Sequence, residues 1–238
     1  SSTITASGDS AATTRPLQTA VAPTQSPLPR PFDSSLGNNF TSPACPAFFN
    51  DFLSNPSFQA CLPFSLLLQT SNSFFAASRS LVTLTHTLDA TCNVNFTECS
   101  ALMASLAQEI QSDDTCGEDL EMQNPMVQQA YNGFVAYEPL YQAGCYSDHD
   151  GNYCFAKAVS NSTASTGSYI YYLPLGVQLP GGSRPLCNNC MQSTMAIFAQ
   201  YASNSSQPLS DTYAPAASQI DMTCGPRFVS ASVQSSAA

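Results

Sequence analysis

Tryptophan is absent from this chain of 238 residues, lysine occurs once, at Lys157, and histidine twice, at His86 and His149. Charged residues make up 9% of the sequence, against about 25% in ordinary globular proteins. Six Lys and Arg face sixteen Asp and Glu, a formal net charge of −10. Phosphate neutralisation needs clustered cations, so the balance points away from nucleic acid and from anionic membranes. A Ser-His-Asp triad would need one of the two histidines. The sequence has no Gly-x-Ser-x-Gly elbow, no His-Glu-x-x-His pair and no glycine-rich phosphate loop. No apolar run reaches the roughly 18 residues of a transmembrane segment. No catalytic residue, cofactor or metal is therefore assigned, and the chain reads as a non-enzyme.

Cysteine is what the chain has in quantity. Ten are spread from Cys45 through Cys61, Cys92, Cys99, Cys116, Cys145, Cys154, Cys187 and Cys190 to Cys224. A reducing cytosol makes so many thiols a liability, whereas an oxidising compartment turns an even number into bridges whose connectivity spacing leaves open. Sequons at Asn39, Asn95, Asn161 and Asn204 predict N-glycosylation and agree with that compartment. Ser1 reads as a processed N-terminus with its signal peptide removed. The final small residues, Val229 to Ala238, resemble those that precede a lipid-anchor cleavage site, or form a frayed tail. The expected location is extracellular, at the cell surface or in the wall.

Residues 1–43 are mostly Ser, Thr, Pro and Ala, with only Phe32 and Phe40 as aromatics. Such a stretch buries too little apolar surface to offset chain entropy, which predicts a flexible, O-glycosylated arm. The alternative lays it along the domain on Leu17, Val21 and Leu28. Residues 44–228 make the cysteine-rich domain and 229–238 the tail. Asn55-Pro56 and Asn124-Pro125 each set an N-cap side chain before a proline that loses no helical hydrogen bond. Pro63 must end or kink the first helix. Phe74, Phe75, Ser78, Leu81, Val82, Thr85 and Leu88 recur at the spacing of one amphipathic helix, and Leu102, Leu106 and Ile110 continue the pattern. After Asn124-Pro125 the stripe runs from Met126 to Tyr141, with Pro139 breaking its last turn and Gly144 stopping it. Cys190, Met191, Met195, Phe198 and Tyr201 form another. Only Tyr169–Val177 reads as extended, closed by Pro180-Gly-Gly182. The predicted fold is mainly α, a disulfide-stapled helical domain with a minor β segment, behind a flexible arm.

The acidic cluster Asp113, Asp114, Glu118, Asp119 and Glu121 offers carboxylates for acid–base work or a hard cation. Thr115-Cys-Gly-Glu118 also matches a capping box, which accounts for acids at a helix start. Asp148-His-Asp-Gly-Asn152 begins like a calcium loop, but Val159 stands where the bidentate Glu belongs, and Asp-Gly is a common turn. Cys187-Asn-Asn-Cys190 has redox spacing without a βαβ context, so a structural role is expected. His86 reads as a boundary residue. Tyr169, Tyr171 and Tyr172 are candidate binding residues. In a strand, alternation sets Tyr169 and Tyr171 on one face and Tyr172 on the other, with core and rim packing as the competing use.

Several stretches together resemble an uncharacterised family of cysteine-rich secreted proteins of filamentous ascomycete fungi. They are Cys61–Phe75, Ala143-Gly-Cys145 with Tyr153-Cys154, Tyr172-Leu-Pro-Leu-Gly176, Cys187-x-x-Cys190 and Cys224-Gly225. The resemblance covers about residues 45–228. It implies a surface or wall protein, often lipid-anchored, and carries over no catalytic residue. The expected function is non-enzymatic, by binding or architecture, with a wall glycan or surface protein as partner. A carrier of an apolar small molecule, lipid or sterol, enclosed between segments 58–75 and 126–141, is the alternative. A hydrolase using a carboxylate pair from Asp113–Glu121 is a third reading.

Overall fold

A computed structural model of the chain describes residues 27–230; the remainder of the expected arm, with Leu17 and Val21, and tail residues 231–238 lie outside the described residues. Helix boundaries follow local chemistry. Helix α1 (Ala44–Ser54) stops at Asn55, whose side chain then accepts the Ser57 amide (2.8 Å) to open α2 (Pro56–Cys61). Leu62 takes a left-handed φ of 39°, and Pro63 precedes α3 (Phe64–Thr70), so the proline sits where no amide bond is lost. The stripe expected as one helix divides into α4 (Asn72–Ala77) and α5 (Leu81–Cys92). The Ser78 hydroxyl donates back to the Phe74 carbonyl (2.9 Å), and that of Thr83 reaches the Ala77 carbonyl (2.6 Å). The Ser78 amide keeps its ladder bond to Phe74 (2.9 Å), and the break falls at Ala77, whose carbonyl takes the Thr83 hydroxyl and the Ser80 amide (3.2 Å).

Asn95 caps α6 (Phe96–Glu109), and α7 (Gly117–Glu121) follows a turn. Asn124 opens α8 (Pro125–Val135), its Oδ1 accepting the Met126 amide at 3.1 Å. Pro139 breaks the next stretch earlier than expected, at Ala136, because a proline must lie in the first turn of the new helix, α9 (Tyr137–Gly144). Helices α10 (Cys154–Ser160), α11 (Asn189–Ala199) and α12 (Leu209–Cys224) complete the α set. Residues 167–175 are not extended: Gly167–Leu175 is a 3-10 helix. Its end is fixed by Gly176 at φ 84°, and the Thr212 hydroxyl takes up the Leu173 carbonyl (2.8 Å), so tertiary bonds override strand propensity. Among the described residues the β structure is one bridge, Ser147 to Tyr153.

Two apolar cores share a wall of α3, α8 and α9. Leu66 and Phe134 face the first, with Phe32, Phe49, Phe52 and Phe58, while Leu67 and Leu140 face the second, with Phe155, Tyr171 and Phe198. The space between 58–75 and 126–141, expected to enclose a ligand, is filled. A Cβ on Gly133 would stand 2.2 Å from Leu66 Cδ2, and one on Gly144 would stand 2.7 Å from the Phe64 ring. Gly133→Ala is expected to destabilise by roughly 1–3 kcal/mol, because Leu66 is fully buried and has no room to retreat. An unchanged urea midpoint would refute this.

Residues 27–43, assigned to the arm, instead pack on the domain. Phe32 is buried, edge-on to Phe49 (5.2 Å), and its amide donates to the Thr70 carbonyl (3.0 Å). Asp33 accepts the Asn72 and Ser73 amides, both at 2.8 Å, at the start of α4. One buried phenylalanine and a carboxylate that satisfies free helix-end amides hold a segment whose average composition predicts none of this.

All ten cysteines are paired: Cys45–Cys116, Cys61–Cys99, Cys92–Cys145, Cys154–Cys190 and Cys187–Cys224. Three bridges tie the segment 45–145 and two tie 154–224. Cys187 and Cys190 bond to different partners, so the Cys-x-x-Cys spacing is structural.

Candidate functional site

A groove of about 420 Å³ opens between α4, α10, the 3-10 helix and the loop 177–180, within the range of about 300–1,000 Å³ common to ligand sites. Its floor is core: Leu68, Phe74 and Phe155 are buried, and the two phenyl rings stack at 6.2 Å. Its rim is exposed, with Phe75 at 66%, Tyr169 at 40% and Val177 at 41% of full accessibility. Polar groups along the wall are neutral, from Ser78, Ser168, Gln178 and the Tyr169 and Tyr172 phenols; no Asp, Glu, Lys, Arg or His lines it.

The 3-10 helix explains which tyrosines arrive there. At three residues per turn, positions 169 and 172 stack in one column while 170, 171, 173 and 174 turn inward. Tyr169 and Tyr172 therefore share the groove, and Tyr171 does not: it is 1% exposed, packed on Phe155, with its hydroxyl 3.3 Å from that of Thr194. The expected pairing of Tyr169 with Tyr171 is thus reversed, because it assumed a period of two. The Tyr172 hydroxyl donates to the Leu68 carbonyl (3.4 Å). Burial, and then the neighbouring Tyr169 phenol, raise the Tyr172 pKa, so the wall stays uncharged at neutral pH. The loop wall is pinned to α12: Gln178 donates to the Asp211 carbonyl (3.3 Å) and Gln219 to that of Pro180 (2.8 Å).

The stripe read as one helix held a signal that its pattern concealed. Phe74, Leu84 and Leu88 are core, but Phe75, Leu81 (57%) and Val82 (78%) face solvent. Phe75 on α4 and Leu81 on α5 meet across the break and line one hollow. Apolar side chains gathered on one exposed surface mark a contact site more than scattered ones do.

Asp119 and Asp148 each organise a turn, and the remaining acids stay apart from them. Asp119 alone of the acidic cluster is buried, accepting the Thr41 amide (2.7 Å), the Ser42 amide (3.0 Å) and Asn124 Nδ2 (3.2 Å). Burial pushes its pKa up, and these hydrogen bonds outweigh burial and hold it below 3.8. The predicted capping box is not made. Thr115 bonds the Glu109 and Ser112 carbonyls instead, and Asp113, Asp114, Glu118 and Glu121 point to solvent. Asp148 turns Oδ1 to the Asp150 and Asn152 amides and Oδ2 to Lys157 Nζ (2.5 Å), which draws its pKa down to about 2. That carboxylate organises its own turn. His86 is half-buried on α5, and His149 is exposed beside Asp150 (3.3 Å). Among the described residues no three His, Cys, Asp or Glu side chains converge as a metal site, and no helix is long and apolar enough to cross a membrane. Asn39, Asn95 and Asn204 are exposed and Asn161 is half-exposed.

The fold and groove define a disulfide-pinned, mainly α-helical domain with a preformed apolar surface site. Over residues 27–233 the chain matches the family described as a domain of unknown function, DUF7729, and it belongs to that family. No curated protein and no solved structure matches the chain.

Proposed function

We propose that this is a non-enzymatic binding protein of the extracellular space, secreted and N-glycosylated, as in the fungal wall proteins its sequence resembles, and that it carries an apolar small molecule. The observation that carries the reading is the groove itself: an aromatic and aliphatic hollow without charge, on a chain of net charge −10. Glycan recognition needs many hydrogen-bonding groups around a ring platform, and this wall offers five neutral ones, from Ser78, Ser168, Gln178, Tyr169 and Tyr172, of which the Tyr172 hydroxyl is already taken up by the Leu68 carbonyl. Ten paired cysteines and a filled interior favour a rigid scaffold whose site is ready before the ligand arrives.

Titration of the oxidised full chain with an environment-sensitive apolar dye is expected to show saturable binding at one site. Phe75→Ser with Tyr169→Ser, both at exposed rim positions, is expected to weaken it about tenfold or more through lost apolar contact. The circular dichroism spectrum and Tm should not move. Absence of saturable binding by any apolar probe would overturn the proposal.

A further inference from the structure

The groove does not end at Phe75. On the far side of that ring a second hollow of about 440 Å³ shares Phe75, Ser78 and Val159 with it and adds Leu81, Leu84 and Arg79. The Arg79 guanidinium lies 5.0 Å from the Phe75 ring centroid. Among the described residues no carboxylate comes within ion-pair distance of Arg79, although the sequence holds sixteen acids and only six Lys and Arg. The lysine of the chain is by contrast engaged by Asp148. Arg30, Arg184 and Arg227 also lack a carboxylate partner among the described residues, but Arg79 is the one stacked on the groove's rim; a planar cation there, at the end of an uncharged apolar channel, complements a ligand with an aliphatic body and an anionic end.

We infer that the two hollows form one site for a single-chain amphiphile with a carboxylate head, a free fatty acid, whose tail lies over Tyr169, Tyr172 and Phe155 and whose head meets Arg79. The inference rests on the groove being the ligand site and names the ligand class. Docking of the same patch on an anionic membrane is disfavoured by the net charge of −10, which repels such a surface.

The test compares dodecanoate with dodecanol, of equal chain length, on the oxidised full chain and on Arg79→Gln. Arg79 is exposed, so its loss leaves folding intact. Solvent screening limits the expected preference for the carboxylate to about fivefold. In Arg79→Gln that preference is expected to vanish, with alcohol affinity unchanged, and to fade in wild type as salt is raised. Equal affinity for acid and alcohol in the wild type would overturn the head-group assignment and leave the groove standing. Binding of neither would overturn both readings. Co-sedimentation with phosphatidylglycerol vesicles without binding of dodecanoate would overturn the inference in favour of a membrane surface.

Discussion

Replacing Cys45 and Cys116 together by alanine is expected to lower the unfolding free energy by about 4 kcal/mol, and Tm by ~10 °C for a domain of this size. The bridge closes a sequence separation of 71, the longest of the five, and both half-cystines are fully buried. Opening it restores chain freedom to the unfolded state across α1 to α6. It also unties α1 from the turn that presents Asp119. Cys187, by contrast, is exposed, so mild reductant is expected to open Cys187–Cys224 before the buried bridge. Thiol labelling against time, followed by peptide mapping, reads that order. A double alanine variant that melts with the wild type would show that packing alone holds the first half together.

Asp119→Ala is expected to cost about 1–3 kcal/mol, because the part-buried Thr41 and Ser42 amides lose their charged acceptor, while Asn124 Nδ2 keeps the Asn39 carbonyl (2.8 Å). The same residue makes stability depend on acid. Its folded pKa lies below the ordinary 3.8, as does that of Asp33, where burial raises the value and bonds from Ser73, Asn72 and Ser71 lower it further. A depressed folded pKa means the unfolded chain takes up the proton first. The contribution is therefore whole above the unfolded value and is lost as pH falls through the folded one. Urea midpoints are expected to be flat near neutrality and to drop between about pH 5 and about pH 2, with a shallower drop in Asp119→Ala. An equal slope in both proteins would remove Asp119 from the account. Because Thr41 and Ser42 precede α1, the variant is also expected to expose residues 27–43 to protease.

Residue chemistry made some of this legible in advance. Asn-Pro marked two helix starts because a side-chain oxygen and a proline do the same work in any context. Pro63 and Gly144 marked ends for equally local reasons. Tyr169–Val177 misled because aromatic and β-branched residues favour a strand only when neighbouring strands exist, and here α12 supplies the partner for Leu173 instead. Phe75, Leu81 and Val82 misled for a different reason. Spacing shows which residues share a face only while the helix is continuous, and here the Ala77 carbonyl takes the Thr83 hydroxyl and the ladder stops between α4 and α5.

By itself the sequence determined the helical class, the even cysteine count and the poverty of charge, since each is a property of residue identity or of spacing within one turn. The tertiary structure alone decided the disulfide partners, the docking of residues 27–43 and the groove. Those join segments tens of residues apart, and a local pattern holds no information about which distant surface will close over it.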